Sequence, residues 1–68
     1  MTIRFRIAEV LAHRRLSLVE LSDRTGIAVR DLEVLRDQRA MAVRLKTLEC
    51  LCKALSCQPG ELMEYEAD

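Results

Sequence analysis

The stretch from Ser17 to Arg36 constrains this chain most, because it marks where one helix starts, where it stops and where the next begins. Ser17-Leu18-Val19-Glu20 has capping-box spacing: the serine hydroxyl accepts from the backbone N–H of Glu20, and the glutamate accepts from the N–H of Ser17. A helix therefore runs from here to about Thr25 and buries Leu21. Gly26 stands where a helix closes through a left-handed residue, a conformation that costs glycine little. Beyond Thr25-Gly26-Ile27, residues 28–36 bring Leu32 and Leu35 onto one face of a further helix. Two short helices joined by a three-residue turn make a helix-turn-helix over about residues 17–36.

The flanks are helical too. Ile7, Val10, Leu11 and Arg14 follow the i, i+3, i+4, i+7 spacing of an amphipathic helix from about Arg6 to Arg15. Asp37-Gln38-Arg39 breaks the apolar pattern and opens a loop that extends to Val43. Leu45, Leu48, Leu51, Cys52 and Leu55 restore the spacing for a fourth helix, with Ser56-Cys57 as its exit. Gln58-Pro59-Gly60-Glu61 supplies a cap, a proline at the first helical position and a first-turn carboxylate for a fifth helix over about 59–63. Ile3-Arg4-Phe5 and Met63-Glu64-Tyr65 both read as extended, and pairing them would close the fold with a minimal two-stranded ribbon. Phe5 and Tyr65, the two aromatic residues, would then lie near one another. The expected fold is all-α, a compact five-helix domain.

Composition narrows this further. A chain of 68 residues makes a single domain, 1–68. Two glycines and one proline are too few for a barrel or sandwich with many tight turns. No apolar run approaches the roughly 18 residues of a membrane span, and no secretory signal pattern is present. Three cysteines argue against a disulfide framework and fit a reducing, cytoplasmic location. The neutral total hides an asymmetry. Residues 1–53 carry all 11 basic groups against seven acidic ones, whereas residues 54–68 carry four carboxylates and no base. A basic body suits a polyanion, although arginine-rich helix faces are also ordinary solvated surfaces.

Catalytic chemistry finds no foothold. Cys50 and Cys52 are two apart on a helix and point about 200° apart, so they cannot share one metal ion. Cys52 is in register with Leu48 and Leu55 and reads as a packing residue, while Cys50 reads as more exposed. His13 reads as a surface residue. Ser17, Ser22 and Ser56 have no histidine and carboxylate at the spacing a nucleophilic site needs, and no glycine-rich phosphate loop occurs. The expectation is a binding module with no metal, cofactor, small-molecule substrate or enzymatic activity.

Ile3-Arg4-Phe5 with Ile7, Val10 and Leu11, then Leu16-Ser17 with Glu20-Leu21, then Arg24-Thr25-Gly26-Ile27, followed by Leu32, Leu35, the run from Leu45 to Leu55 and that from Cys57 to Tyr65, together resemble a known family. It is the Cro-and-repressor-type helix-turn-helix domains of bacteria and phages, in their short stand-alone form. The resemblance covers about residues 3–65 and implies a sequence-specific transcriptional regulator whose partner is double-stranded DNA. It also implies a homodimer on paired half-sites, since one recognition helix rarely supplies enough contacts.

On this resemblance the helix at 28–36 reads the major groove. Arg30 could pair with guanine O6 and N7 or with a phosphate, Glu33 could accept from cytosine N4, and Val29 could meet a thymine methyl. Ser17, Arg36, Arg39, Arg44 and Lys46 are the expected phosphate contacts. The chain departs from the family where DNA would be touched. Leu18 replaces the usual Gln after the capping residue, Ala28 the usual Ser, Asn or Gln, and Asp37-Gln38 the usual Asn-Gly turn. Asp31, Glu33 and Asp37 also put three carboxylates beside a polyanion, where each gains only by pairing with an arginine, as Asp37 can with Arg30 or Arg36 through solvent. The apolar departures define an alternative, a protein-interaction module (inhibitor, adaptor or dimerisation unit) that docks through a face around Leu18, Val29, Val34 and Met41.

Overall fold

The computed structural model describes residues 2–67, which run β1 (Thr2–Phe5), α1 (Ile7–Arg14), α2 (Leu18–Thr25), α3 (Val29–Arg36), α4 (Leu45–Leu55), α5 (Pro59–Leu62) and β2 (Met63–Glu66). Each helix ends where its local chemistry requires. α1 stops at Arg15, which is left-handed at φ 54°. The capping box of α2 is formed in both directions: Glu20 N–H donates to Ser17 Oγ at 3.1 Å, and Ser17 N–H donates to Glu20 Oε1 at 3.0 Å. α4 closes at Ser56, also left-handed at φ 51°, and the Cys57 N–H then donates back to the Cys52 carbonyl. α5 opens with Gln58 N–H donating to Glu61 Oε1, and it ends at Leu62 because Met63 already belongs to β2.

The core is aliphatic and every helix contributes to it. Ile7 from α1, Leu21 from α2, Leu32 from α3, Leu51 and Leu55 from α4, and Leu62 from α5 are fully buried. Each such side chain is worth about 1.5–3 kcal/mol of burial. Val10, Leu11, Leu35 and Leu48 extend the cluster, and so does Cys57, which read only as a helix exit. Leu45 departs from its expected place. It is 77% exposed, since it is the first residue of α4 and nothing covers the apolar stripe there.

The ends pair as expected. β1 and β2 are antiparallel, with Thr2 opposite Glu66, Ile3 opposite Tyr65, Arg4 opposite Glu64 and Phe5 opposite Met63. Phe5 and Met63 pack against the core, and Phe5 and Tyr65 are diagonal neighbours on that same face. On the other face Arg4 Nη1 meets Glu66 Oε1 at 2.8 Å.

A side chain completes this ribbon. Phe5 N–H donates to Gln38 Oε1 at 2.8 Å, and Gln38 Nε2 donates to the Phe5 carbonyl at 2.7 Å. The amide thus imitates a strand neighbour and ties the loop after α3 to β1. Gln38 adopts φ 62° to reach that position, a conformation unfavourable for a residue with a Cβ. Gln38→Ala keeps the backbone cost and loses both bonds, so stability should fall by about 1–2 kcal/mol in urea unfolding. Gln38→Gly loses the bonds but relieves the backbone, so its midpoint should lie between those of Gln38→Ala and the parent.

Candidate nucleic-acid interface

α2 and α3 meet at a turn that side chains pin from both sides. Gly26 is left-handed at φ 77° and donates its N–H to the Ser22 carbonyl at 2.8 Å. Ser22 Oγ donates to the Ile27 carbonyl, Thr25 Oγ1 donates to the Leu21 carbonyl at 2.8 Å, and Ile27 N–H donates to Thr25 Oγ1 at 3.2 Å. Ser22 and Thr25 therefore fix the angle at which α3 leaves the turn. Sequence reasoning assigned this job to Gly26 alone. The available signal was the pair of short hydroxyl side chains in the last turn of α2, which compete readily for nearby backbone groups.

α3 is anchored by Leu32 and Leu35, and its other side faces outward. Ala28 stands at its N-cap with no side-chain hydrogen bond, which leaves the first backbone N–H groups uncapped by any hydroxyl or carboxylate. Spacings of three and four residues align Val29, Arg30, Glu33, Arg36 and Asp37 along the outward side. Val29 is half-buried at its edge, whereas Arg30 and Asp31 are exposed.

The charged residues along this face divide into two groups. Arg36 Nε donates to Asp37 Oδ1 at 2.9 Å, Arg36 Nη2 lies 3.9 Å from Glu33 Oε2, and Arg39 Nη2 lies 3.7 Å from Asp37 Oδ2. Asp37 therefore pairs with Arg36 directly rather than through solvent and draws in Arg39, while Glu33 joins the cluster through Arg36. The hydrogen bond from Arg36 holds the Asp37 carboxyl below its ordinary value, and the same bond raises the Arg36 guanidinium. Arg30, Arg44 and Lys46 form the second group: all are exposed, and none belongs to an ion pair among the described residues. Arg44 stands at the N-cap of α4, beside the groove that the loop makes with α3, and Lys46 follows in the first turn. At Ser17 the backbone N–H is taken by Glu20 and Oγ already accepts, so the hydroxyl proton is what it has left to offer.

The family model described as the Cro/C1-type HTH DNA-binding domain matches residues 6–68. The chain belongs to this family. It is also similar to YozG of Bacillus subtilis (strain 168), described as an uncharacterized HTH-type transcriptional regulator, at 48% identity over 68 residues. That match takes in 100% of this chain and 81% of the relative.

Within this family fold the apolar alternative loses its surface. Leu18 packs against the core, where α2 needs a second contact besides Leu21. Val34 turns into the groove with Ile27, Ala40 and Val43. Of the four proposed docking residues, Met41 is the one left fully in solvent, on the loop before α4. The helical pattern left all four outside the core but could not show that Leu18 packs against it or that Val34 lines the groove beside α3. The cysteines also read differently in three dimensions. Cys50 and Cys52 are both half-buried, and Cys57 is buried, with burial pushing its thiol up. Among the described residues no group of three or more His, Cys, Asp or Glu side chains could hold a metal ion, and no helix is long and apolar enough to cross a membrane.

Asp37 has opposite effects on stability and on an anion. Its lowered folded-state value means that its stabilising contribution is complete above the ordinary carboxylate range, about pH 4, and disappears as pH falls through the lowered value. Asp37→Asn should therefore reduce stability slightly at neutral pH and not at all in acid, read by thermal unfolding across pH. The same substitution releases Arg36 and Arg39. Duplex DNA affinity should rise by up to about five-fold, the upper range for an exposed ion pair.

Proposed function

We propose that this chain is a sequence-specific, DNA-binding transcriptional regulator that acts in the cytoplasm and reads the major groove with α3 as a two-fold dimer. The observation that carries this reading is Arg30, an exposed guanidinium at the start of a helix anchored by Leu32 and Leu35, without an internal carboxylate partner among the described residues. Such a group gives up no ion pair when it meets guanine O6 and N7. Glu33 gives up only the 3.9 Å contact to Arg36 when it accepts from cytosine N4. Val29, at the edge of the same face, offers its methyl groups to thymine.

Arg44 and Lys46 contact phosphates as uncommitted cations. Arg36 and Arg39 do so by exchanging Asp37 for a phosphate, and Ser17 by its remaining hydroxyl proton. Membership of a family of DNA-binding domains supports this reading, as does the relative described as a transcriptional regulator. The domain, residues 1–68, regulates by occupying DNA, with no cofactor and no catalysed step. An eight-residue recognition helix covers one half-site, so specificity asks for two copies.

Selection from a randomised duplex library at two salt concentrations tests the reading. A short palindrome should be enriched, and its affinity should fall steeply as salt rises. Binding without enrichment would overturn base reading by α3. On the selected site Arg30→Ala should cost about 1–3 kcal/mol and relax preference at one position. Lys46→Ala should instead weaken all sites alike and lower the salt slope by about one.

A further inference from the structure

We infer that the outer edge of β1 is the contact between two copies of this chain, joined antiparallel about Ile3 into a continuous four-stranded sheet. This rests on the two-fold assembly proposed above and names the surface that forms it.

The ribbon leaves an apolar pair uncovered. Ile3, Phe5, Met63 and Tyr65 share one face, and only Phe5 and Met63 reach the core. Ile3 and Tyr65, directly opposite each other, are 57% and 59% exposed.

The ladder then shows which backbone groups are free. In antiparallel pairs, residues alternate between exchanging hydrogen bonds with the partner strand and turning their N–H and C=O outward. Arg6 N–H donates to the Leu62 carbonyl, and Phe5 turns outward to Gln38. By the same alternation Arg4 and Thr2 face β2, and Ile3 faces outward. Gln38 occupies the edge at Phe5, so among the described residues Ile3 is the position on β1 where both backbone groups remain open to another strand. On β2 the corresponding open position is Tyr65.

Charge selects between these edges. Two β2 strands paired about Tyr65 would set Glu64 directly opposite Glu66 of the other copy, twice. Two β1 strands paired about Ile3 set Arg4 opposite Thr2, with no like charges facing, and each Arg4 is already held by its own Glu66. An Ile3 edge on a Tyr65 edge would satisfy the charges, but that contact is head-to-tail and does not close into a dimer. The β1 pairing closes, and Gln38 limits its register by blocking any slip toward Phe5. It aligns Tyr65, Ile3, Ile3 and Tyr65 as one apolar row across the two-fold axis. The contact is small, so the dimer is weak and its population depends on concentration.

The test is sedimentation of the full chain without DNA over a range of concentrations, with amide exchange at the dimeric end. The expected result is a monomer–dimer equilibrium in which the Ile3 amide gains protection as the dimer fills and the Tyr65 amide does not. Ile3→Lys should weaken dimerisation by about ten-fold or more, since it sets two ammonium groups face to face. Its unchanged helical circular dichroism would verify that this exposed substitution leaves the fold intact. A chain that stays monomeric throughout would overturn both the interface and the two-fold assembly. A dimer with an unprotected Ile3 amide, or one indifferent to Ile3→Lys, would overturn the interface alone. Growth beyond the dimer would point to the head-to-tail edge and overturn the β1 pairing.

Discussion

Burial of aliphatic side chains around Leu51 and Leu55 of α4 supports every other feature of this protein. α4 is the longest helix, and it meets Leu21 of α2, Leu32 of α3, Ile7 of α1 and Leu62 of α5 in one cluster. With a single phenylalanine and no tryptophan, the core depends on how leucine and isoleucine interlock rather than on a large ring. Interiors are packed like crystals, so such an arrangement leaves α2 and α3 little freedom to change their angle. The hydroxyls of Ser22 and Thr25 then set the turn between them. A helix of eight residues is marginal in isolation, and here it has a defined pose because its buried side is held by Leu32 and Leu35.

The outward side of α3 shows a compromise between internal pairing and readiness for an anion. Asp37 draws Arg36 and Arg39 into local ion pairs, which orders the end of the helix and lowers the cationic charge available to a polyanion. Arg30, Arg44 and Lys46 have no ion-pair partner among the described residues. Exposed pairs of this kind are weak, so the arrangement moderates attraction to DNA without abolishing it. The sequence suggested that Asp37 could pair with Arg30 or Arg36 through solvent; the pair that forms is a direct one with Arg36.

Much of the architecture was legible in advance, for identifiable reasons. The capping box at Ser17–Glu20, the glycine at 26 and the proline at 59 are local signals whose geometry depends on a few adjacent residues, and each fell within a residue of its expected place. The ribbon between residues 2–5 and 63–66 was legible from alternation at both ends. Less legible were contacts between segments far apart in sequence. Gln38 looked like the start of a loop, yet its amide serves as a strand neighbour for Phe5. Leu18 and Val34 looked like free apolar residues, yet the core and the groove beside α3 take them in. Leu45 carried the periodicity of a core residue but lies where no element covers it.

Local sequence signals specify the number and order of the helices, their stops and starts, and the placement of Arg30 and Glu33 on the side of α3 away from its leucines, with Val29 at the edge. These are short-range consequences of capping, backbone preference and the 3.6-residue period. Only the tertiary structure decided which cations are already paired, which apolar residues remain in solvent and which edge of the ribbon stays open. Those outcomes depend on distances between segments far apart in the chain, as between Arg4 and Glu66, 62 residues away. Periodicity carries no record of such distances. They emerge only when the whole chain has packed and each polar group has found its partner.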